Sequence, residues 1–122
     1  MELLAIICQL AIAAGIVNVW LIRFNRTTSW RGGEAGNMAE EFAVYGLSQP
    51  VMRLVGGAKL LLAALLLIGI WVPAVAAPAA ALMGLLMIGA IGMHLKVKDP
   101  LKRSLPAFTM LVMSLIVVLA YL

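Results

Sequence analysis

Four long runs of apolar residues make up most of the chain, and the polar residues are concentrated in the segments between them. The runs cover residues 3–22, 54–72, 75–95 and 105–122. Each approaches the roughly 20 residues that an α-helix needs to cross the hydrocarbon core of a bilayer. Apolar side chains occur on all sides of these helices, which is typical of helices in lipid. The pattern predicts an all-α transmembrane four-helix bundle that forms a single integral membrane domain over residues 1–122.

The nine basic residues lie on one side of this predicted bundle. Five lie between or at the edges of spans one and two, and four lie between spans three and four. Cytoplasmic loops of membrane proteins are enriched in Lys and Arg, so we expect both basic loops in the cytoplasm and both termini outside. The expected location is the plasma (inner) membrane of a prokaryote. The net charge of +4 is then a topology signal that favours anionic lipid over nucleic acid as a partner.

The segment between spans one and two is too long for a simple turn and contains a helix signature. Asn37 suits an N-cap, and Glu40 follows three residues later, as in a capping box. Met38, Phe42 and Tyr45 have the spacing of one helical face. We predict a short amphipathic helix on the cytoplasmic side. It lies in the membrane interface or packs over the mouth of the bundle, and both alternatives predict the same pattern.

One charged residue lies within a span. Lys59 follows Arg53 by six residues, which places it about 9 Å inside the second span at 1.5 Å per residue. A lysine at this depth is costly and is usually paired or functional. The alternative is that its long side chain extends the ammonium group back to the inner headgroups.

Other polar residues lie at a similar depth. Asn18 and His94 lie near the same end of spans one and three. If the helices turn these side chains inward, they form with Lys59 a small ligand-binding pocket near the inner leaflet. Glu40 and Glu41 of the amphipathic helix are the candidates that close it. The alternative for His94 is an interaction with the carbonyl groups of a helix end or with lipid headgroups.

Composition narrows the chemistry further. At 65% apolar and 11% charged residues, the chain is far from the composition of a soluble domain. One cysteine, Cys8, excludes an internal disulfide, and one histidine excludes bis-histidine haem ligation by one chain. No spacing of Cys and His suggests a metal site, and no catalytic motif is present. We expect no metal, no cofactor bound by a recognisable motif, and no self-contained enzyme.

Several short motifs resemble one family. Residues 52–63 are similar to the second span of DoxX-like membrane proteins, as are residues 41–47 before it and residues 67–73 after it. The most specific match is His94 followed by residues 98–103, which resembles the corresponding turn in the branch that contains the chaperone of nicotinic acetylcholine receptors. The resemblance covers residues 38–119 and agrees with the four-span plan.

The resemblance implies a four-helix membrane bundle but several functions. One branch resembles the small membrane subunits of archaeal thiosulfate:quinone oxidoreductase, and another assists the folding or assembly of membrane proteins. Many relatives have a glutamate where this chain has Lys59, which reverses the charge at that position. In the turn, Asp99 is expected to cap the lead-in to span four, and Lys102 and Arg103 to anchor it to headgroups.

Two functions follow as expectations. The first is an accessory protein, which binds or assists another membrane protein or binds a lipophilic ligand in the inner-leaflet pocket. The alternative is the membrane subunit of a quinone-linked oxidoreductase, with Lys59 and His94 binding a quinone carbonyl. A small transporter fits less well, because the spans contain a single charge and no broken helices. Small residues at helical spacing allow close packing in the monomer or in a homo-oligomer.

Overall fold

The chain is all-helical in the computed structural model, which describes residues 2–122; Met1, the first residue of the expected domain, lies outside the described residues. No strand is present in this part of the chain, and four long helices and one short helix confirm the predicted fold class. The α-helices are α1 (Glu2–Val17), α2 (Met38–Val44), α3 (Gln49–Ile68), α4 (Ala76–Lys96) and α5 (Leu105–Tyr121). A π-helical turn, Asn18–Ile22, continues α1, and 3₁₀ turns at Pro73–Val75 and Leu101–Ser104 precede α4 and α5.

Four helical segments are long and apolar enough to cross a membrane: Glu2–Ile22, Gln49–Ile68, Pro73–Lys96 and Leu101–Tyr121. Large apolar side chains remain exposed along all of them, as expected for helices in lipid, where no water penalises that exposure. Examples of these exposed side chains are Leu3, Leu54, Leu61, Leu85 and Leu115.

The second long helix begins earlier and ends earlier than the apolar run 54–72 suggests. Its start is fixed by Ser48, whose hydroxyl accepts a hydrogen bond from the backbone N–H of Val51. Pro50 occupies the first turn, where its missing N–H costs nothing. The helix ends at Ile68, and Gly69 caps it. Lys59 is therefore ten residues, about 15 Å, from the helix start.

The long helices form a ring in the order α1, α3, α4, α5, in which α1 and α4 each contact both α3 and α5. The helix α2 packs on α3. The core between the helices contains fully buried apolar side chains such as Ile12, Ile16, Leu66, Met83 and Val117. We call the end of the bundle formed by residues 23–48 and 97–104 the basic end.

A buried amide ties three helices together at the opposite end. Gln9 in α1 is fully buried, and its Nε2 donates to the backbone oxygen of Leu66 at 2.8 Å. Leu66 lies in the last turn of α3, where carbonyl groups have no partner within the helix. Tyr121 in α5 donates its hydroxyl to Gln9 Oε1 at 3.2 Å. Each polar group of the Gln9 side chain is thus satisfied inside an apolar core.

Near the basic end, Gly56 and Gly57 of α3 face different surroundings. A Cβ atom at Gly56 would lie 2.5 Å from the ring of Trp20, which is buried against this helix. A Cβ atom at Gly57 would have nothing within 4 Å. The absence of a side chain at Gly56 therefore sets how closely α1 and α3 approach.

This contrast predicts opposite effects of the same substitution at neighbouring positions. Gly56→Ala should lower the free energy of unfolding by about 1–3 kcal/mol, because the rigid Trp20 ring must move. Gly57→Ala should be neutral or stabilising by up to about 1 kcal/mol, since alanine favours the helix. Thermal unfolding in detergent checks both. Equal melting temperatures for the two variants would contradict the close approach.

Candidate functional site

Two adjoining cavities, of about 370 and 270 Å³, lie inside the basic end. The larger one extends between α1, α4 and α5 towards the loop of residues 23–37, and the smaller one extends between α3 and α4 beneath α2. We call the two cavities together the pocket. Six residues belong to the walls of both cavities and mark their junction: Val19, Trp20, Glu41, Lys59, Ala90 and His94.

Lys59 lies at this junction and does not extend to the surface. Its side chain is only 9% exposed, and its ammonium nitrogen lies 5.5 Å from the centroid of the Trp20 ring. That distance allows a cation–π interaction. Within residues 2–122, the ammonium group has neither a hydrogen-bond acceptor nor an ion-pair partner. The pocket therefore contains an ammonium group that donates to no acceptor in the described part of the chain.

The helix α2 brings a carboxylate to the same junction. Asn37 accepts a hydrogen bond from the backbone N–H of Glu40 at 2.9 Å, which confirms the predicted N-cap. Met38 and Phe42 are buried against the bundle, so this helix packs over the bundle mouth. The same orientation turns Glu41, which lies between them in the sequence, into the pocket wall.

Glu41 is already occupied by groups of the loop. Its carboxylate lies 3.8 Å from the guanidinium of Arg31 and accepts a hydrogen bond from the backbone N–H of Gly32 at 3.2 Å. Burial raises the pKa of Glu41 above its ordinary value, and the Gly32 hydrogen bond and the charge of Arg31 offset this only in part.

Two other expected site residues contribute less to the pocket. Glu40 lies on the exposed side of α2, where its carboxylate accepts a hydrogen bond from the Asn37 amide at 3.0 Å. It is not among the lining residues of either cavity. Asn18 borders the larger cavity, but its side-chain oxygen accepts from Arg23 Nε at 3.2 Å. The structure thus brings Lys59, Glu41 and His94 together and places Asn18 at the rim.

His94 is held by a chain of polar groups. Its Nδ1 lies 2.8 Å from Asp99 Oδ2, and its Nε2 lies 3.5 Å from the Tyr45 hydroxyl. Asp99 also accepts from the backbone N–H of Gly33 and from Arg103, both at 3.0 Å. Burial opposes the ionisation of Asp99, but the hydrogen bonds from His94 and Gly33 and the charge of Arg103 outweigh it and lower its pKa.

The expected cap at Asp99 is therefore wrong. The 3₁₀ turn before α5 begins after Pro100 and has no side-chain cap, because the Asp99 carboxylate is turned towards His94 and the loop instead. Arg103 likewise does more than anchor the chain to headgroups, since it donates to the backbone oxygens of Arg31 and Gly33.

Hydrogen bonds from Arg31 and Arg103 to backbone oxygens hold the loop of residues 23–37 over the pocket. Arg31 is 4% exposed and donates to the backbone oxygens of Arg23, Phe24 and Arg26. Arg103, in the 3₁₀ turn before α5, donates to the backbone oxygen of Arg31. Gly33 adopts a φ of 56°, a left-handed conformation that favours glycine and that presents its N–H to Asp99. The loop is thus a fixed cover of the larger cavity.

Sequence reasoning missed several residues of the site. The predicted face of α2 gave a signal for Tyr45. No sequence pattern pairs Arg31 with Glu41, because a loop without a regular repeat joins them, and none pairs Gly33 with Asp99, which are 66 residues apart. Among residues 2–122, no group of three or more His, Cys, Asp or Glu side chains is placed to hold a metal ion.

With this geometry established, comparison with known proteins identifies the family. A profile of DoxX-like proteins matches residues 16–118, which include every residue that lines the pocket. The chain belongs to the DoxX-like family. The match confirms the resemblance drawn from the motifs, and with the four apolar helices it makes this DoxX-like protein a multi-pass membrane protein. Comparisons with curated proteins and with solved structures gave no match.

The contacts of Asp99 predict that its charge stabilises the fold. Asp99→Asn should lower the free energy of unfolding by about 1–3 kcal/mol, because hydrogen bonds to a buried carboxylate are lost or weakened. Glu34→Gln is the matched control, since it removes a carboxylate from an exposed position in the loop. Thermal unfolding at neutral pH checks the difference, and an equal loss in both variants would contradict it.

The lowered pKa of Asp99 gives this stabilisation a defined pH dependence. A carboxyl group whose pKa is lower in the folded than in the unfolded state stabilises the fold fully above its unfolded value, here 3.8, and loses that effect as the pH falls through the folded value. The wild-type melting temperature should therefore fall more steeply below about pH 4 than that of Asp99→Asn. Parallel curves for the two proteins would contradict the prediction.

Proposed function

We propose that this DoxX-like protein binds a lipophilic ligand in the pocket at its basic end. The observation that carries the proposal is the pair of adjoining cavities, whose surface is mainly apolar and which share the polar side chains of Lys59, Glu41 and His94. Such a combination is typical of small-molecule sites, and the larger cavity is at the lower end of their usual range of about 300–1,000 Å³. The family match supports a membrane protein and leaves the ligand open.

The surroundings of the pocket favour a ligand that comes from the bilayer. Val55, Leu85 and Leu86 line the smaller cavity between α3 and α4. Gly89 on the same wall would have nothing within 4 Å of an added Cβ atom, so this side is not closed by packing. Apolar walls that meet a lipid-facing helix surface suit an apolar ligand better than a hydrated one.

The concentration of Lys and Arg at the basic end supports an orientation with this end in the cytoplasm and both termini outside, in the plasma membrane of a prokaryote. The pocket would then lie at the level of the inner leaflet. An accessory role towards another membrane protein is compatible with this proposal, because a ligand inside the pocket would leave the exposed apolar side chains of the long helices available to a partner.

One observation favours the alternative of a quinone-linked oxidoreductase subunit. Lys59 has donors available for a quinone carbonyl, whereas both ring nitrogens of His94 already face Asp99 and Tyr45. A quinone would thus be held through Lys59, and its electrons would have to come from a partner protein. Identification of the bound lipophile distinguishes this alternative from other ligands.

Filling the pocket tests the proposal. Ala90 lines both cavities, so Ala90→Phe should reduce ligand occupancy by roughly ten- to a hundredfold, the equivalent of about 1–3 kcal/mol of overpacking. Ala81→Phe places the same side chain on the exposed face of the same helix and should leave occupancy unchanged. The measurement is native mass spectrometry of protein extracted gently from its own membrane, followed by analysis of the extracted lipids. A bound lipophile present equally in both variants would exclude the pocket as its site.

A further inference from the structure

We propose that the pocket selects an anionic lipophile and that Lys59 binds its acidic group. This inference rests on the proposed function and specifies the ligand: an acid attached to an apolar body, either a free lipophilic acid or an anionic membrane lipid. The observation behind it is a buried lysine at the junction of two cavities, where the nearby carboxylates of Glu41 and Asp99 are engaged by arginine.

The ammonium group of Lys59 has the properties of an incomplete ion pair. The residue Lys59 is nine-tenths buried and lines both cavities. Within residues 2–122, only the face of the Trp20 ring contacts its ammonium group as a favourable partner. The ring attracts the cation from one side but accepts no hydrogen bond in the manner of a carboxylate. A buried cation is stable when it is paired and hydrogen-bonded, and an acidic group in the cavity would provide both.

The carboxylates near the pocket are already engaged. Glu41 pairs with Arg31 and accepts from Gly32, and Asp99 accepts from His94, Gly33 and Arg103. Each acid therefore has a basic partner of its own on the loop or on the lead-in to α5. Among residues 2–122, Lys59 has no carboxylate within ion-pair distance. In the same part of the chain, the side chain of a second cation at the rim, Arg23, has the neutral Asn18 as its one hydrogen-bond partner. The field inside the pocket thus favours a negative ligand group.

The pocket also provides space for the apolar body of such a ligand. Val55, Leu86 and Met93 line the smaller cavity together with Lys59. Gly89 lines it too, and an added Cβ atom there would meet nothing within 4 Å, so the cavity is not closed by packing on that side. An acyl chain can follow these walls while its acidic group stays at the ammonium. A neutral quinone would fill the same space but would leave the charge of Lys59 uncompensated.

The test is competition between an acid and its own ester. Hexadecanoic acid and methyl hexadecanoate, in equal amounts at pH 8, are offered to the full chain in a neutral detergent, and native mass spectrometry counts each bound species. The wild type should prefer the acid by about ten- to a hundredfold. This ratio corresponds to the free energy that a hydrogen bond to a charged group usually contributes. Lys59→Met should lose this preference while still binding the ester, and Lys59→Arg should keep most of it.

The outcomes separate the two proposals. Equal binding of acid and ester by the wild type overturns the anionic selectivity and leaves the lipophile pocket intact. Failure to bind the acid, the ester and a decyl quinone overturns the proposed function itself. If Lys59→Met does not fold, the wild-type ratio and its retention in Lys59→Arg still decide the question, because an unselective wild type contradicts the proposal without any variant.

A second arm identifies the source of the anion. The wild type is reconstituted in phosphatidylcholine nanodiscs, with or without a minor fraction of phosphatidylglycerol, and hexadecanoic acid is titrated in. Displacement of the acid by phosphatidylglycerol, absent in Lys59→Met, assigns the site to an anionic lipid. Retention of the acid in both membranes assigns it to a free lipophilic acid. Indifference of Lys59→Met and wild type to every anion offered overturns the inference.

Discussion

The ammonium group of Lys59 lies inside a bundle of largely apolar helices, and a charge in that position is stable only if the protein replaces the water that it has lost. Much of the basic end serves this requirement. Gly56 lets the Trp20 ring pack against α3, and the face of that ring then lies beside the ammonium. The helix α2 covers the same region and brings the Glu41 carboxylate to the wall. The pocket is thus a cavity beside an ammonium group that the helices bury but that has no ion-pair partner within residues 2–122.

The cover of the pocket depends on a different kind of contact, in which arginine side chains hold backbone carbonyl groups. The loop of fifteen residues over the bundle mouth is exposed along much of its length but is buried around Arg31 and Gly32. Backbone groups in the buried part need partners within the protein. Arg31 and Arg103 supply several donors each in a fixed planar array, and Asp99 accepts the N–H of Gly33. Because Asp99 also binds His94, the position of the loop and the orientation of the histidine ring are linked. A change in either is transmitted to the pocket wall.

Hydropathy alone predicts the four long helices, because lipid-facing helices must be apolar on nearly every side. The sequence also predicts the N-cap at Asn37. The helical spacing of Met38, Phe42 and Tyr45 implies that Glu41, and not Glu40, lies on the buried side of α2. What the sequence could not provide is the rotation of each long helix about its axis. The pairing of Gln9 with Leu66, or of Gly33 with Asp99, depends on that rotation and on the path of the loop, and neither leaves a local pattern.

The architecture separates the shape of the pocket from its charge preference. Its shape depends on Gly56, Trp20, α2 and the arginine-held loop, none of which requires a particular group at position 59. Its charge depends on that position, because the acids and the other buried cations nearby are paired with one another. The motif resemblance places a glutamate at this position in many DoxX-like proteins. In a pocket of the same shape, a glutamate at position 59 would replace the positive charge with a negative one. It would then favour a cationic or hydrogen-bond-donating ligand. A single buried residue would thus set the class of ligand on a common scaffold.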